Sequence, residues 1–501
     1  MLEIDGHTLR PEDVEVVARG EAARLAPGAH ARIERARAMV EDILRERRPV
    51  YGVSTGVGEL RTRFISPADA ETLQRNIVCS HAAGVGSPLP EPAVRAMMLL
   101  RANALALGYS GVRPQLVDTL LEMLARGVHP VIPEQGSLGA SGDLAPLAHL
   151  ALVLIGEGEA FYQGTRMPGG EAMGRADVRP LVLQAKEGIA LINGTQFMSA
   201  LGILFLLDAE RLTHLADVAG ALTLEALRGT DRAFHPLLHL ARPHPGQIAC
   251  ARHLQALLDG SERIHRADYP RVQDAYSLRC MPQIHGAVRG ALAHLREILT
   301  VEINSATDNP LLFPEAHEII SGGNFHGEPL ALALDYAAMA TAELASVSER
   351  RIERLVNPHL SGLPPFLADH SGLRSGYMLA QYTAAALTSE NKVLSHPASV
   401  DSIPTSAGQE DHVSMGAHAA RKALAVLRNV QQVVAIELVV AAQAIDSGTG
   451  ALGRGTGAAY RCVRDNVPAL AEDRVIATDF AAAMRLVESG ALLAAVQEAA
   501  T

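Results

Sequence analysis

Five consecutive residues, Gly139-Ala140-Ser141-Gly142-Asp143, could build an electrophile out of the chain itself. If the Gly142 amide nitrogen reaches the Ala140 carbonyl carbon, a five-membered ring closes, and loss of two waters turns Ser141 into a dehydroalanine-like methylidene. Glycine at 139 and 142 leaves the backbone free to adopt the compressed dihedrals that such an attack needs. The same residues support an ordinary structural reading. Ser141 suits a helix N-cap, and Asp143 suits the first turn of the apolar segment 144–155.

Other chemistries fit less well. Asp143 stands where the last glycine of G-x-S-x-G belongs, which argues against a serine hydrolase. The loop Tyr51-Gly52-Val53-Ser54-Thr55-Gly56-Val57-Gly58 and the run Gly453-Arg454-Gly455-Thr456-Gly457 match neither G-x-G-x-x-G nor a P-loop, so no nucleotide site is expected. His235 and His239 stand four apart with Pro236 between them and no H-E-x-x-H pattern, which favours surface or capping roles over metal ligation. Cys79, Cys250, Cys280 and Cys462 are scattered without metal-site spacing, so no metal is expected. A pyridoxal Schiff base needs a lysine, and Lys186, Lys392 and Lys422 lie in no phosphate-cradling context.

The elements that must position these residues are mainly helical. The 501-residue chain is rich in Ala and Leu, poor in aromatics and without Trp, a composition that favours helix over sheet. Up to about residue 190, short apolar-periodic segments such as 33–44 and 94–107 alternate with Gly/Pro-rich connections. Beyond Asn193, segments 195–228, 284–305, 328–355 and 412–445 repeat apolar residues every three or four positions. The expected architecture is therefore a helical or mixed N-terminal domain, 1–192, followed by an elongated bundle of long helices and a C-terminal helical region, 193–501. Strand is expected only around 160–166. A formal charge of −11 without a basic run argues against nucleic acid. The start, Met1-Leu2-Glu3-Ile4-Asp5, lacks the pattern of a secretory signal, and the uncharged stretch 188–207 is interrupted by Asn193-Gly194-Thr195-Gln196. A reduced cytoplasmic protein without a membrane span is the expectation.

Seven blocks raise the first motif above coincidence. They are Tyr51-Gly52 with Thr55-Gly56 and Gly58; Ser80-His81-Ala82-Ala83-Gly84-Val85-Gly86; Gly136 to Leu147 around Ser141; Lys186-Glu187-Gly188 leading to Leu191-Ile192-Asn193-Gly194-Thr195-Gln196; Val272-Gln273-Asp274 with Tyr276-Ser277-Leu278-Arg279-Cys280 and Pro282-Gln283; Ser321-Gly322-Gly323-Asn324-Phe325-His326-Gly327-Glu328-Pro329; and Gln409-Glu410-Asp411-His412-Val413-Ser414-Met415. In this order the chain resembles the aromatic amino acid ammonia-lyase family over most of its length. The resemblance implies a 4-methylideneimidazol-5-one prosthetic group made from Ala140, Ser141 and Gly142, with no external cofactor. A helix starting after Gly142 would then aim its N-terminal amides at charge developing on that ring.

Site roles follow from the resemblance. Tyr51 matches the family's catalytic tyrosine, and Tyr276 a second tyrosine near the prosthetic group. Arg279 matches the residue that holds the substrate carboxylate, a pairing suited to a guanidinium fork. Asn193 and Gln273 match orienting amides, and Phe325 an aromatic that shields the ring. His81 and Glu410 match ring-binding positions, and the Glu410 carboxylate favours histidine as substrate, with trans-urocanate and ammonia as products. Glu410 could instead be an N-terminal acid of the helix that follows. Ser54, Val57, Ala275, Met281 and Gly408 depart from the family's usual residues but remove no group with a chemical role. The resemblance also implies a homotetramer with shared active sites, in which Tyr51, Phe325 and the 140–142 segment do not all come from one chain. Tyrosine or phenylalanine lyase, aminomutase, or a catalytically silent helical assembly protein are the alternatives.

Overall fold

The computed structural model describes residues 1–58, 61–66, 69–266, 272–370 and 372–500. Four long helices dominate: Gln196–Ala226, Met281–Glu302, Glu328–Val356 and Gly416–Asp446. Each matches a segment of three- and four-residue apolar periodicity. In Met281–Glu302, for example, Val288, Leu292, Leu295 and Leu299 recur on one buried face. The shorter N-terminal helices Pro27–Glu46 and Glu91–Ala106 also follow the periodic segments. Residues Ala93 to Ala106 of the second are all buried, so that helix has no solvent face to reveal in its polar pattern.

Contacts divide the chain into two compact units, and not by a single cut near residue 192. The first unit comprises 1–207, 295–335 and 397–421; the second comprises 208–294, 336–396 and 422–501. Each long helix has one end in each unit, so the chain returns twice to the first. Those two returns carry Phe325 and Glu410, which lie far from Ser141 in sequence.

Strand is more widespread than the single segment expected. Glu159–Tyr162 and Thr165–Pro168 do form an antiparallel hairpin, turned through Gln163 and Gly164 at φ 49° and 76°. Val128–Pro130 adds to its edge. Val85–Pro88 pairs with Pro133–Gln135, Leu2–Ile4 runs parallel to Ala23–Leu25, and Leu311–Phe313 pairs with Glu318–Ile320. At three or four residues each, these pieces are too short to display a two-residue period.

Glu328–Val356 and Gly416–Asp446 are long and apolar enough to cross a membrane, but most of each apolar window is buried inside the protein. They behave as core helices. In the second unit they hold a fully buried ion pair: Glu437 accepts from Arg351 Nε at 2.6 Å and Nη2 at 2.8 Å, and from the hydroxyls of Thr223 and Ser348 at 2.8 and 2.5 Å. Removing one partner strands the other without water. We expect Glu437→Ala to lower stability by about 3–5 kcal/mol in chemical denaturation, and Glu437→Gln, which keeps an acceptor, to lower it less.

Candidate active site

The first unit encloses a cavity of about 1020 Å³ lined by Tyr51, His81, Ala140, Ser141, Asn193, Phe325 and Glu410, among others. One chain therefore brings Tyr51, Phe325 and the Ala140-Ser141 pair together, which corrects the expectation that these come from different chains. The physical reason lies in the two returns of the chain to this unit. Gln273, Tyr276 and Arg279 do not line the cavity and belong to the second unit. Gln273 and Tyr276 are exposed, and the Arg279 guanidinium stacks 4.5 Å from the Tyr276 ring centroid.

The backbone on either side of Ala140-Ser141 lies in the left-handed region that favours glycine. Gly139 and Gly142 lie at φ 66° and 73°. A Cβ on Gly139 would fall 2.2 Å from Ser414 Oγ, and one on Gly142 would fall 2.1 Å from the Gly194 carbonyl oxygen. Only glycine fits at either place. Gly142 forms a parallel bridge with Gly194, the Asp143 N–H donates to the Gly194 carbonyl at 2.7 Å, and Asn193 Nδ2 donates to the Ser141 carbonyl at 2.6 Å. These features fit a methylidene-imidazolone formed in place.

The capping expected of Ser141 and Asp143 is not what the structure shows. The helix runs Ala145–Leu154, starts from Leu144 at φ 50°, and has no side-chain cap. Left-handed turns at 139, 142 and 144 carry Ser141 away from the cap position. Asp143, fully buried, instead accepts from the Phe197 and Met198 N–H groups at 2.6 and 3.4 Å, so it satisfies the orphan amides at the start of Gln196–Ala226.

Arg101, which sequence reasoning passed over, sits behind this arrangement. It is fully buried and donates to the Asn193 carbonyl at 2.9 Å and to Gln196 Oε1 at 2.7 Å; burial pushes its guanidinium down to about 10. Its sequence signal is a charge inside a largely apolar helix, a signal it shares with Arg95. Nearby, Lys186 and Asp308 form another fully buried pair at 2.5 Å.

The remaining lining residues are set by local hydrogen bonds. Tyr51 precedes Gly52 at φ 64°, and its phenol oxygen accepts from the Gly58 N–H at 3.1 Å, which orients the ring. His81 ends the helix Ala70–His81, and its Nδ1 lies 2.7 Å from the Ile77 carbonyl. A carbonyl only accepts, so Nδ1 carries the proton and the neutral ring keeps Nε2 as an acceptor. Glu410 is positioned by an antiparallel bridge to Thr405, across a turn with Ser406 and Ala407 both at φ 54°. The next long helix begins only at Gly416, so Glu410 is a cavity residue and not its N-terminal acid. Arg61 donates to Gln409 Oε1 at 2.8 Å, joining the tyrosine loop to the Glu410 turn. Phe325 follows Gly322, whose N–H donates to Asn309 Oδ1 at 2.8 Å.

Two clusters of potential metal ligands occur among the described residues. His326, Glu328 and His412 gather beside the cavity, but His326 Nε2 faces the His412 carbonyl at 3.2 Å and Nδ1 accepts from the Glu328 N–H at 3.3 Å. In the second unit, Asp217 accepts from Cys250, His253, His285 and Arg289; burial raises its carboxyl, but the two histidines and the Arg289 guanidinium outweigh that and hold it well below the usual range. His235 caps a helix, as expected, whereas His239 is buried against Gln247.

Residues 9–465 match the family model for aromatic amino acid lyases, and the chain belongs to that family. It is a carbon–nitrogen lyase of the ammonia-lyase kind. It is 56% identical over 498 residues to histidine ammonia-lyase of Alkaliphilus oremlandii, covering 99% of this chain and 98% of the relative. The structure of histidine ammonia-lyase from Trypanosoma cruzi superposes with a TM-score of 0.92 at 45% identity, covering 99% of this chain and 95% of that one. Tyrosine aminomutase from Streptomyces globisporus superposes with a TM-score of 0.95 at 40% identity, covering 99% and 98%.

Burial pushes the Asp143 carboxyl up to about 8. A carboxyl raised in the folded state contributes stability that is fully present below its unfolded pKa of about 4 and is lost as pH rises through the folded value. Asp143→Asn stays neutral and keeps an acceptor for the Phe197 N–H. Its melting temperature should therefore fall less steeply than that of the wild type from about pH 4 to about pH 8, as read by calorimetry.

Proposed function

We propose that this enzyme is a histidine ammonia-lyase that eliminates ammonia from L-histidine without oxidation and releases trans-urocanate. The observation that carries this reading is one cavity uniting Ser141 with Tyr51 and with two acceptors, His81 Nε2 and the Glu410 carboxylate. An imidazole ring has an N–H to donate to such acceptors and a phenyl ring has none. A phenol has one O–H and can meet only one of these acceptors, whereas an imidazole with both nitrogens protonated can meet both, so Glu410 together with His81 separates histidine from tyrosine.

The methylidene-imidazolone formed from Ala140, Ser141 and Gly142 supplies an electrophilic carbon that no ordinary side chain provides. The other steps fall to the chain's own residues. In this reading Tyr51 Oη takes a proton from the substrate's β-carbon, an acid so weak that positioning must do much of the work, and the presence of Tyr51 in the cavity supports it. Asn193 fixes the Ser141 carbonyl, Phe325 covers the cavity, and Glu410 and His81 hold the ring at the far end.

Among the described residues, Arg61 is the one arginine that lines the cavity, and it donates to Gln409. Arg279, with Tyr276 and Gln273, completes the site if another copy of the chain presents it. Supporting this reading, Tyr276 is 71% exposed and Val272 99% exposed, and Leu332, Tyr336 and Met339 form an exposed apolar row at helical spacing. The proposed assembly is a cytoplasmic homotetramer with active sites shared in this way. Mixing Ser141→Ala subunits with Arg279→Ala subunits should then restore activity that neither possesses alone. Co-refolded mixtures that stay inactive, or a fully active monomer in sedimentation, would remove the shared-site assembly.

Incubation with each aromatic amino acid and identification of the products tests the reaction. Histidine should be consumed fastest and yield urocanate; β-amino acid products would make the protein an aminomutase. Glu410→Ala should lower kcat/KM for histidine by about 10- to 100-fold, the worth of a hydrogen bond to a charged group, while its melting temperature changes little. Ser141→Ala, with no hydroxyl to lose, should fold and be almost inactive.

A further inference from the structure

Ser414 has no part in the roles assigned so far, yet it grips the chain just upstream of the tripeptide. It is fully buried in the turn that leads into the helix Gly416–Asp446. Its hydroxyl donates to the Gly139 carbonyl at 3.1 Å and accepts from the Gly416 N–H at 3.1 Å. The next residue, Met415, held at φ 55°, donates its N–H to the Leu138 carbonyl at 2.8 Å. Two consecutive carbonyls before Ala140 are thus anchored by one turn. The fit leaves no slack, since a Cβ built on Gly327 would lie 2.8 Å from the same Ser414 oxygen that a Cβ on Gly139 would strike.

On the downstream side, Asn193 and Gly194 hold Ser141 and Asp143. We propose that Ser414 is a positioning residue for ring closure, fixing the upstream end of Ala140-Ser141-Gly142 so that the Ala140 carbonyl carbon stays within reach of the Gly142 nitrogen. This rests on the reading that the tripeptide cyclises. In that closure the Gly142 nitrogen bonds to the Ala140 carbonyl carbon, whose oxygen leaves as water with the amide hydrogens of Ser141 and Gly142. The second water is the Ser141 hydroxyl with its α-hydrogen, and no oxidant is required. A segment held at one end only would spend much of its time with the two atoms apart, and closure would slow in proportion.

The test is the intact mass of the purified, denatured full-length protein, taken at fixed times after synthesis, for wild type, Ser414→Ala and Ser402→Ala. Ser402 accepts from the Val413 N–H at 3.0 Å in the same turn, without a hydrogen bond to Leu138 or Gly139. Wild type should be lighter by two waters, and Ser402→Ala should match it. Ser414→Ala, with wild-type circular dichroism and elution volume, should close its ring about two- to tenfold more slowly and carry a correspondingly larger share of full-mass chain. Complete and equally fast processing of Ser414→Ala would overturn the proposal, and so would equal slowing in both variants, which would mean a general loosening of the turn. A wild-type chain at full mass would instead sink the cyclisation reading itself. If Ser414→Ala does not fold, Ser414→Cys, of similar size with a weak S–H donor, takes its place; slowed closure supports the role and wild-type closure overturns it.

Discussion

The close approach of the backbone at Gly142 to the backbone at Gly194 is the constraint around which the site is built. No Cβ fits at 142, and Gly194 itself, at φ 158°, would direct a Cβ to within 2.3 Å of Arg101 Nη1. With both side chains absent, the Asp143 amide reaches the Gly194 carbonyl and the Asp143 carboxyl reaches the first amides of Gln196–Ala226. The tripeptide and the start of a 31-residue helix are thereby set by the same few hydrogen bonds. Asn193, one residue before Gly194, is delivered to the Ser141 carbonyl by that approach.

Such backbone geometry persists only where the surroundings over-determine it, and the surroundings here are unusually polar for a buried region. Arg101 braces Asn193 and Gln196 from behind, Lys186 and Asp308 pair without water, and Ser414 closes the upstream side. Each group would be costly to bury alone and is tolerable because its partners are fixed. The second unit repeats the device with Arg351 and Glu437, and with the four donors that converge on Asp217. Apolar Ala- and Leu-rich helices can slide past one another at small cost, and buried polar contacts of this kind fix their register.

Much of the scaffold was legible from periodicity. The four long helices lie where three- and four-residue apolar spacing put them, because a two-sided helix must show its buried face in its sequence. The short strand pairs at 2–4 with 23–25, 85–88 with 133–135, and 311–313 with 318–320 left no such trace. Asp143 caps the helix Gln196–Ala226 and not the one that follows it in the chain. An acid beside a helix start looks the same locally whether it caps its own helix or one that begins more than fifty residues later.

The sequence by itself determined the reactive segment and the residue types that could serve it: the glycines flanking Ala140-Ser141, the tyrosine on a glycine-rich loop, and a histidine and a glutamate able to accept from a ring. Chemistry of that sort is written in side-chain identity and local backbone freedom. Only the tertiary structure decided which of these share a cavity. Segments 295–335 and 397–421 return to the N-terminal unit and bring Phe325 and Glu410 to Ser141, while Gln273, Tyr276 and Arg279 stay with the second unit. That outcome depends on long-range packing, where closing loops of a hundred residues or more is set by contacts summed over whole helices, and no local pattern records it.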